Sequence, residues 1–322
     1  MVLINILFLM DSLLILLLAF VIDLIFGEFP DRVHPTVWMG NVIAYLKPKT
    51  RSINPLTEKR NGVFLCVGVI TLFTVPAFFL LWAIRLIPVW GWLLYVVASA
   101  VLLKTTIAIK CMKHYTAPIA KALKNGDVDE ARRWLHFIVR RDPATLDERH
   151  IISAAVESIA ESTTDGVTSP LFFFALFGVP GAFAFRVINT LDSMVGYRDT
   201  ENVNIGWFSA KMDTIANYAP ARLTAFLMVV SAMLMGADWR NSLRILQRDK
   251  NKTASLNAGW TISAMAGALN TQLEKQGYYA LGDGEDISPE DVGKAWRIML
   301  LTAVLFSVAV VAPVLALKAL LL

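Results

Sequence analysis

The chain has 322 residues, 56% of them hydrophobic and only 17% charged, with a mean hydropathy of +0.55. An ordinary soluble domain is nearer a quarter charged, so the composition excludes one and indicates an integral membrane protein. A net charge of +4 spread over several loops gives no basic tract for nucleic acid, and two cysteines give no disulfide framework.

Residues 3–25 are apolar, contain Asp11 and Asp23, and lack the basic start and cleavage site of a signal peptide. They predict a retained membrane helix. Asp23, Gly27, Glu28, Asp31, His34 and Pro35 form a polar group at its end. Residues 62–84 and 89–109 predict two more spans, folded as a hairpin about a turn at 85–88. The loop before this hairpin carries Arg32, Lys47, Lys49, Arg51, Lys59 and Arg60, and nine basic residues lie between Lys110 and Arg149. Both segments are therefore expected on the cytoplasmic side, with the turn and the N-terminus outside.

Asn125-Gly126-Asp127 reads as a turn, followed by an amphipathic helix over 128–139. Asp147 begins another helix, with Ile151, Ile152, Ala155, Val156 and Ile159 at helical spacing. No strand alternation is evident. Glu157 and Glu161 are four apart on that helix and share a face, where like charges repel. Asp165 follows one turn later, and beside Gly166 it is expected at the helix C-terminus, which disfavours negative charge. A Mg²⁺ ion bridging to substrate phosphates would relieve both conflicts; a solvated acidic face is the plainer alternative.

Residues 169–188 are apolar but interrupted by Gly178-Val179-Pro180-Gly181, which predicts two short helices that dip into the membrane and return. Asn189, Thr190, Asp192, Ser193, Gly196 and Tyr197 follow as a run of donors and acceptors that also suits a capped loop. Asp213 and Asn217 are four apart and can face one ligand, with Lys211 beside them, Pro220 ending the helix and Arg222 just beyond. Arg141, Arg186 and Arg222 carry the planar fork that suits phosphate, though each also suits an interfacial anchor, the role expected of Arg186. Residues 223–237 are apolar but short, and are expected not to cross. Ser288-Pro289-Glu290-Asp291 is an N-cap signature leading into a last span over 298–322. No P-loop, GxSxG or zinc-ligand spacing occurs.

Taken together, several of these motifs resemble the adenosylcobinamide-phosphate synthase family, often written CobD/CbiB. They are Asp23 to Pro35, the RD-x-x-x-L beginning at Arg141, the acidic run from Ala155 to Pro170, NTLDSMVGY from Asn189 to Tyr197, Asp213 to Arg222, and NAGW with AMAGAL from Asn257. The resemblance covers nearly the whole chain. It departs where the family has EN, DD and SPNAGW: Ser162, Thr214 and Leu256 stand there.

The resemblance implies an all-α, multi-pass cell-membrane enzyme of about four to five transmembrane helices plus broken or re-entrant and cytoplasmic amphipathic helices, in a single domain over 1–322. It implies a cobalamin-biosynthesis ligase with a cytoplasmic active face. The reaction would join adenosylcobyric acid to aminopropanol phosphate, or a related amino alcohol, through an amide at the expense of ATP and Mg²⁺. Carried over, Glu157, Glu161 and Asp165 would hold the metal. Asp192, Asp213, Asn189 and Tyr197 would serve catalysis, with Asp192 or Asp213 taking the amine proton. Arg141, Lys211, Arg222, Asn217, Ser193, Thr190, His34 and Asn257 would bind phosphate or substrate. The lipid bilayer, a second copy of the chain and other corrinoid-pathway membrane enzymes are the implied partners, with no nucleic acid. Two rivals share the pattern: an AmpE-like non-enzymatic signalling relative, against which the many retained acids argue, and a corrinoid or solute transporter, for which no inverted repeat is visible.

Overall fold

The computed structural model describes residues 2–197, 199–284 and 286–321, with side chains from residue 6. The helices are α1 (Val2–Phe26), α2 (Pro35–Leu46), α3 (Pro55–Arg85), α4 (Gly91–Lys104), α5 (Ile109–Lys124), α6 (Val128–Leu135), α7 (Glu148–Thr163) and α8 (Ser169–Val195). After them come α9 (Trp207–Ala216), α10 (Tyr218–Leu234), α11 (Trp239–Asp249), α12 (Ala258–Ala268), β1 (Leu273–Lys275), β2 (Tyr279–Leu281), α13 (Pro289–Phe306) and α14 (Ala312–Leu321). Among the described residues five stretches are long and apolar enough to cross a membrane: Ile6–Phe26, Pro55–Arg85, Gly91–Lys124, Glu148–Val195 and Pro289–Leu321. Trp207–Ala216 and Tyr218–Leu234 taken together would make a sixth. The chain is therefore an all-α multi-span protein, as its composition predicts. It folds as two compact units, one of residues 1–108, 169–216 and 309–322, the other of 109–168 and 217–308.

In the first unit α1 packs on α4 and α14, and α3 packs on α4, α8 and α9. Asn54 caps α3 by accepting from the Leu56 and Thr57 N–H groups, with Pro55 at the first helical position. The sequence break in α8 is real. Gly178 leaves helical geometry at φ 69°, and the chain reverses there. Phe173 and Phe185 stack with ring centroids 5.3 Å apart. Twelve residues along a straight helix would separate them by about 18 Å. Gly181 lies so close to the opposite arm that a Cβ there would sit 2.5 Å from the Phe173 carbonyl oxygen. Lys318 Nζ donates to the Ala175 and Leu176 carbonyls at 3.2 and 2.8 Å, satisfying acceptors that the broken helix leaves open. The break expected within 169–188 is therefore present, and its two arms pack on each other.

In the second unit α12 packs against α7, α10 and α11, and α13 against α5, α7 and α10. Gly267 lets α11 and α12 approach closely: a Cβ there would meet the Asn241 oxygen at 2.6 Å. Asp127 and Asp147 cap α6 and α7, and Ser288 with Asp291 forms a full capping box on α13.

Several expectations need correction. Asp165 is not at a helix end, because a π-helical turn over Thr164–Thr168 stands between α7 and α8. The Asn189 motif is the last two turns of α8 rather than a loop. The helix carrying Asp213 stops at Ala216, so Asp213 and Asn217 do not share one helix. Pro220 sits in the first turn of α10, where its missing N–H costs nothing, and not at the end of α9. The helix expected over 128–139 ends at Leu135. A short antiparallel hairpin exists, pairing Leu273 with Leu281 and Lys275 with Tyr279 about Gly277 at φ 76°. Three-residue strands are too short to show alternation.

Candidate functional site

In the first unit the polar group after α1 closes on itself. Lys104 Nζ lies 2.7 Å from Glu28 Oε2 and 3.7 Å from Asp23 Oδ1, and the side chains of Lys104 and Asp23 have no exposed surface. His34 Nδ1 accepts from the Thr36 N–H at 3.2 Å and so caps α2. A ring nitrogen that accepts carries no proton, so the proton is on Nε2, which donates to Glu28 Oε2 at 2.7 Å. Burial alone would push the Glu28 carboxyl up. The hydrogen bonds of His34 and Lys104, with the charge of Lys104, outweigh it and hold Glu28 below the usual carboxylate range. His34 thus has both nitrogens engaged in structure.

From there contacts lead to α8. Arg186 Nε donates to Thr36 Oγ1 at 3.4 Å, and Thr190 Oγ1 donates back to the Arg186 carbonyl at 2.7 Å. Asn189, Asp192, Ser193 and Gly196 follow at helical spacing, so they share a face, and the first three are half-buried. Asn189 Nδ2 donates to Asp213 Oδ1 of α9 at 3.4 Å. Tyr197 OH donates to the Ser193 carbonyl at 3.0 Å. Gly196 is required by Asp192, whose Oδ1 occupies the place a Cβ would take. Lys211, on α9, is exposed. This arrangement brings a carboxylate–amide pair, a second carboxylate and hydroxyl groups to the end of α8, a set able to orient a polar substrate and accept a proton.

In the second unit α7 presents Glu157, which is 7% exposed. Its Oε1 accepts from Ser153 Oγ at 2.9 Å and its Oε2 from Tyr279 OH at 2.7 Å. Arg141 Nη2 lies 3.8 Å away. Burial, then the charge and hydrogen bond of Glu157, push the Tyr279 phenol far above its ordinary pKa, so it stays a donor. Glu161 is exposed, and Asp165, on the π turn, is half-buried. A second group lies on α10 and α12. Arg222 Nη1 donates to Asn257 Oδ1 at 3.0 Å, and its guanidinium lies over the Tyr218 and Trp260 rings at 3.5 and 4.7 Å. Lys250 Nζ stands 4.6 Å from the same Trp260 ring. Asn217 is buried at the start of α10.

Among the described residues no three His, Cys, Asp or Glu side chains gather as a metal cage. Glu157 in particular is already held by two hydroxyls with a cation beside it. Arg141 and Tyr279 do part of what a metal was expected to do. Mg²⁺ commonly takes only one or two carboxylates and completes its shell with water and phosphate oxygens. Glu161 and Asp165 fit that habit; Glu157 as placed does not. Lys104, Ser153 and Tyr279 are absent from the sequence-based set. A lysine inside the third apolar run was a readable signal for Lys104. Nothing in spacing ties Tyr279 to Glu157, 122 residues away.

The chain matches the family described as CobD/Cbib protein over residues 16–319. It is 43% identical over 302 residues to the probable cobalamin biosynthesis protein CobD of Methanothermobacter thermautotrophicus, covering 93% of this chain and 97% of the relative. It is 42% identical over 306 residues to the probable cobalamin biosynthesis protein CobD of Thermoplasma volcanium, with 95% and 98% covered. It is 40% identical over 280 residues to the cobalamin biosynthesis protein CobD of Dehalococcoides mccartyi, with 87% and 89% covered. No solved structure matches it.

Proposed function

The chain belongs to the CobD/Cbib family, and from that premise we propose that it acts in cobalamin biosynthesis as an amide-forming ligase of the cell membrane. The reaction joins adenosylcobyric acid to aminopropanol phosphate, or a related amino alcohol, at the cytoplasmic face. The observation that carries this reading is the family match over residues 16–319, which spans every motif of the candidate site.

ATP phosphorylates the corrin side-chain carboxylate, giving an acyl phosphate and ADP. The amine then attacks the carbonyl carbon, the C–N bond forms, phosphate leaves and the amine proton passes to a carboxylate. Mg²⁺ supplies charge neutralisation on the phosphates when bound, with Glu161 and Asp165 as its protein ligands. Arg141 and Arg222 bind phosphate oxygens through their planar forks. Asp192 or Asp213 accepts the proton, and Asn189, paired with Asp213, orients the reacting groups. Ser193, Thr190 and Asn257 contribute polar contacts to the substrates.

The test is incubation of the purified protein with adenosylcobyric acid, aminopropanol phosphate and Mg-ATP, read by product mass. Adenosylcobinamide phosphate should form, should require ATP, and should vanish with chelator. Full turnover without ATP, or none with any amino alcohol, would refute the ligase reading. Asp192→Ala and Asp165→Ala should each abolish product while membrane insertion persists.

A further inference from the structure

The cytoplasmic run-up to the last span carries a feature that the ligase reading does not use. α5 lies along the first half of α13, and between them runs a groove of about 510 Å³. Ala117, Ala120 and Gly293 line it, and the space over Gly293 is open. Four exposed cations line it, Lys113, Lys121, Lys124 and Arg297, with one carboxylate, Glu290, beside Lys124. Among the described residues Lys113, Lys121 and Arg297 have no carboxylate within ion-pair distance, whereas Lys124 is taken by Glu290 at 2.8 Å. Trp296 is fixed between them: its indole N–H donates to the Ile109 carbonyl at 3.0 Å, and Lys113 Nζ lies 4.4 Å from its ring centroid.

Position decides what such a groove can hold. Arg297 is the last charged residue before Ile298, where the apolar run of the final span begins. Arginine and tryptophan at that junction belong at the headgroup level of a bilayer. Basic pockets at the cytoplasmic ends of spanning helices suit anionic headgroups, each nearby cation contributing about 1 kcal/mol. We propose that the groove between α5 and α13 is a binding site for the phosphate headgroup of an anionic phospholipid. The phosphate lies between Lys113 and Arg297, and Lys121 extends the positive field along the groove. The small residues lining it leave room for the glycerol.

Native mass spectrometry of the purified full-length chain, offered equal amounts of phosphatidylglycerol and phosphatidylcholine, tests this directly. Phosphatidylglycerol should be retained in preference. Lys113→Gln, Lys121→Gln and Arg297→Gln should each weaken that preference about fivefold, and together should abolish it. Arg297→Lys should keep most of it, which separates charge from folding if the combined variant fails to insert. Equal retention of the two lipids, unchanged preference in the Gln variants, or displacement of phosphatidylglycerol by equimolar inorganic phosphate or Mg-ATP would overturn the proposal. The last outcome would assign the groove to a soluble phosphate.

Discussion

In the first unit a fully buried lysine stands against two carboxylates and a histidine that donates to one of them. In the second a buried glutamate is held by two hydroxyls, and the nearest cation is 3.8 Å away. Both solve the problem of an ion out of water, but by different means. Lys104 pairs with Asp23 and Glu28, while His34 donates to Glu28 and caps α2, so that cluster reads as a lock. Glu157 is held by two neutral donors, and its one cation, Arg141, stands at 3.8 Å. Such a loosely paired acid leaves Arg141 able to meet an arriving phosphate. Buried ions that are fully paired hold structure; those that are half-paired are available for chemistry.

The largest effect that tests this contrast comes from the lock. Lys104→Met should leave the buried Asp23 carboxylate, and Glu28 beside it, without their cation and cost about 3–5 kcal/mol. Thermal unfolding in detergent would show it as a large drop in midpoint or a loss of folded yield. Combining Lys104→Met with Asp23→Asn and Glu28→Gln should recover part of the loss, because neutral partners need no cation. A Lys104→Met protein that unfolds with the wild type would remove the lock from the account.

The opposite pattern is expected at Glu157. Glu157→Gln keeps size and hydrogen-bonding capacity, so the fold should survive, while ligation should fall by about 10²-fold. Tyr279→Phe removes one donor and should cost about 1 kcal/mol of stability with a smaller loss of turnover. Near-normal product formation in Glu157→Gln would make the second cluster as structural as the first.

An intermediate effect belongs to the helical reversal in α8. Lys318→Met should cost about 2 kcal/mol, the scale of a charged donor lost from backbone acceptors, and Lys318→Arg should cost less. The same unfolding assay reads both, and an unaffected Lys318→Met would mean the reversal is held by Gly178 and aromatic stacking alone.

How far the sequence could foresee this depends on the range of each signal. Local chemistry was legible. Gly178 with Pro180 marked the reversal, Asn125-Gly126-Asp127 marked a turn, and the caps at Asp147 and Ser288 act where they were read. These features are set by residues within one or two turns of each other. Errors came where neighbours in space decide. Asp165 looked like a helix-terminal charge because Gly166 beside it suggests a stop, yet the backbone widens into a π turn instead. Pro220 looked like an end and is a beginning, because proline fits the first turn of a helix as well as it breaks the interior of one. Tyr279 was invisible because its role depends on a three-residue strand carrying it to α7. Of the candidate residues, Asn189 and Asp213, given one role by the resemblance though in separate motifs, do meet, as do Arg222 and Asn257. Motif order along a chain records which residues matter together better than it records what each one touches.

A third way of burying an acid stands at the end of α11. Asp249 has no exposed side-chain surface, yet it bonds Arg248, Lys252 and the Gly282 N–H at 2.7, 2.6 and 2.9 Å. Burial would raise its pKa; the hydrogen bonds from Arg248, Lys252 and Gly282, with the charge of Arg248, outweigh it and hold the carboxyl well below the usual carboxylate range. A lowered folded-state pKa adds stability that is present above the unfolded value, near 3.9, and is lost as pH falls below it towards the folded one. Wild-type stability should therefore decline as pH falls through that acid range, and Asp249→Asn should flatten that decline while lowering stability at neutral pH by about 1–3 kcal/mol. Unfolding midpoints measured from pH 7 down to about 3 check both halves. Arg248 and Lys252 are partly exposed, so the acid stays fully paired at neutral pH without a sealed lock, and its variant should leave ligation unchanged. Loss of product in Asp249→Asn at neutral pH, with the fold intact, would show that full pairing does not mark a buried acid as structural, and would undo the distinction drawn between Lys104 and Glu157.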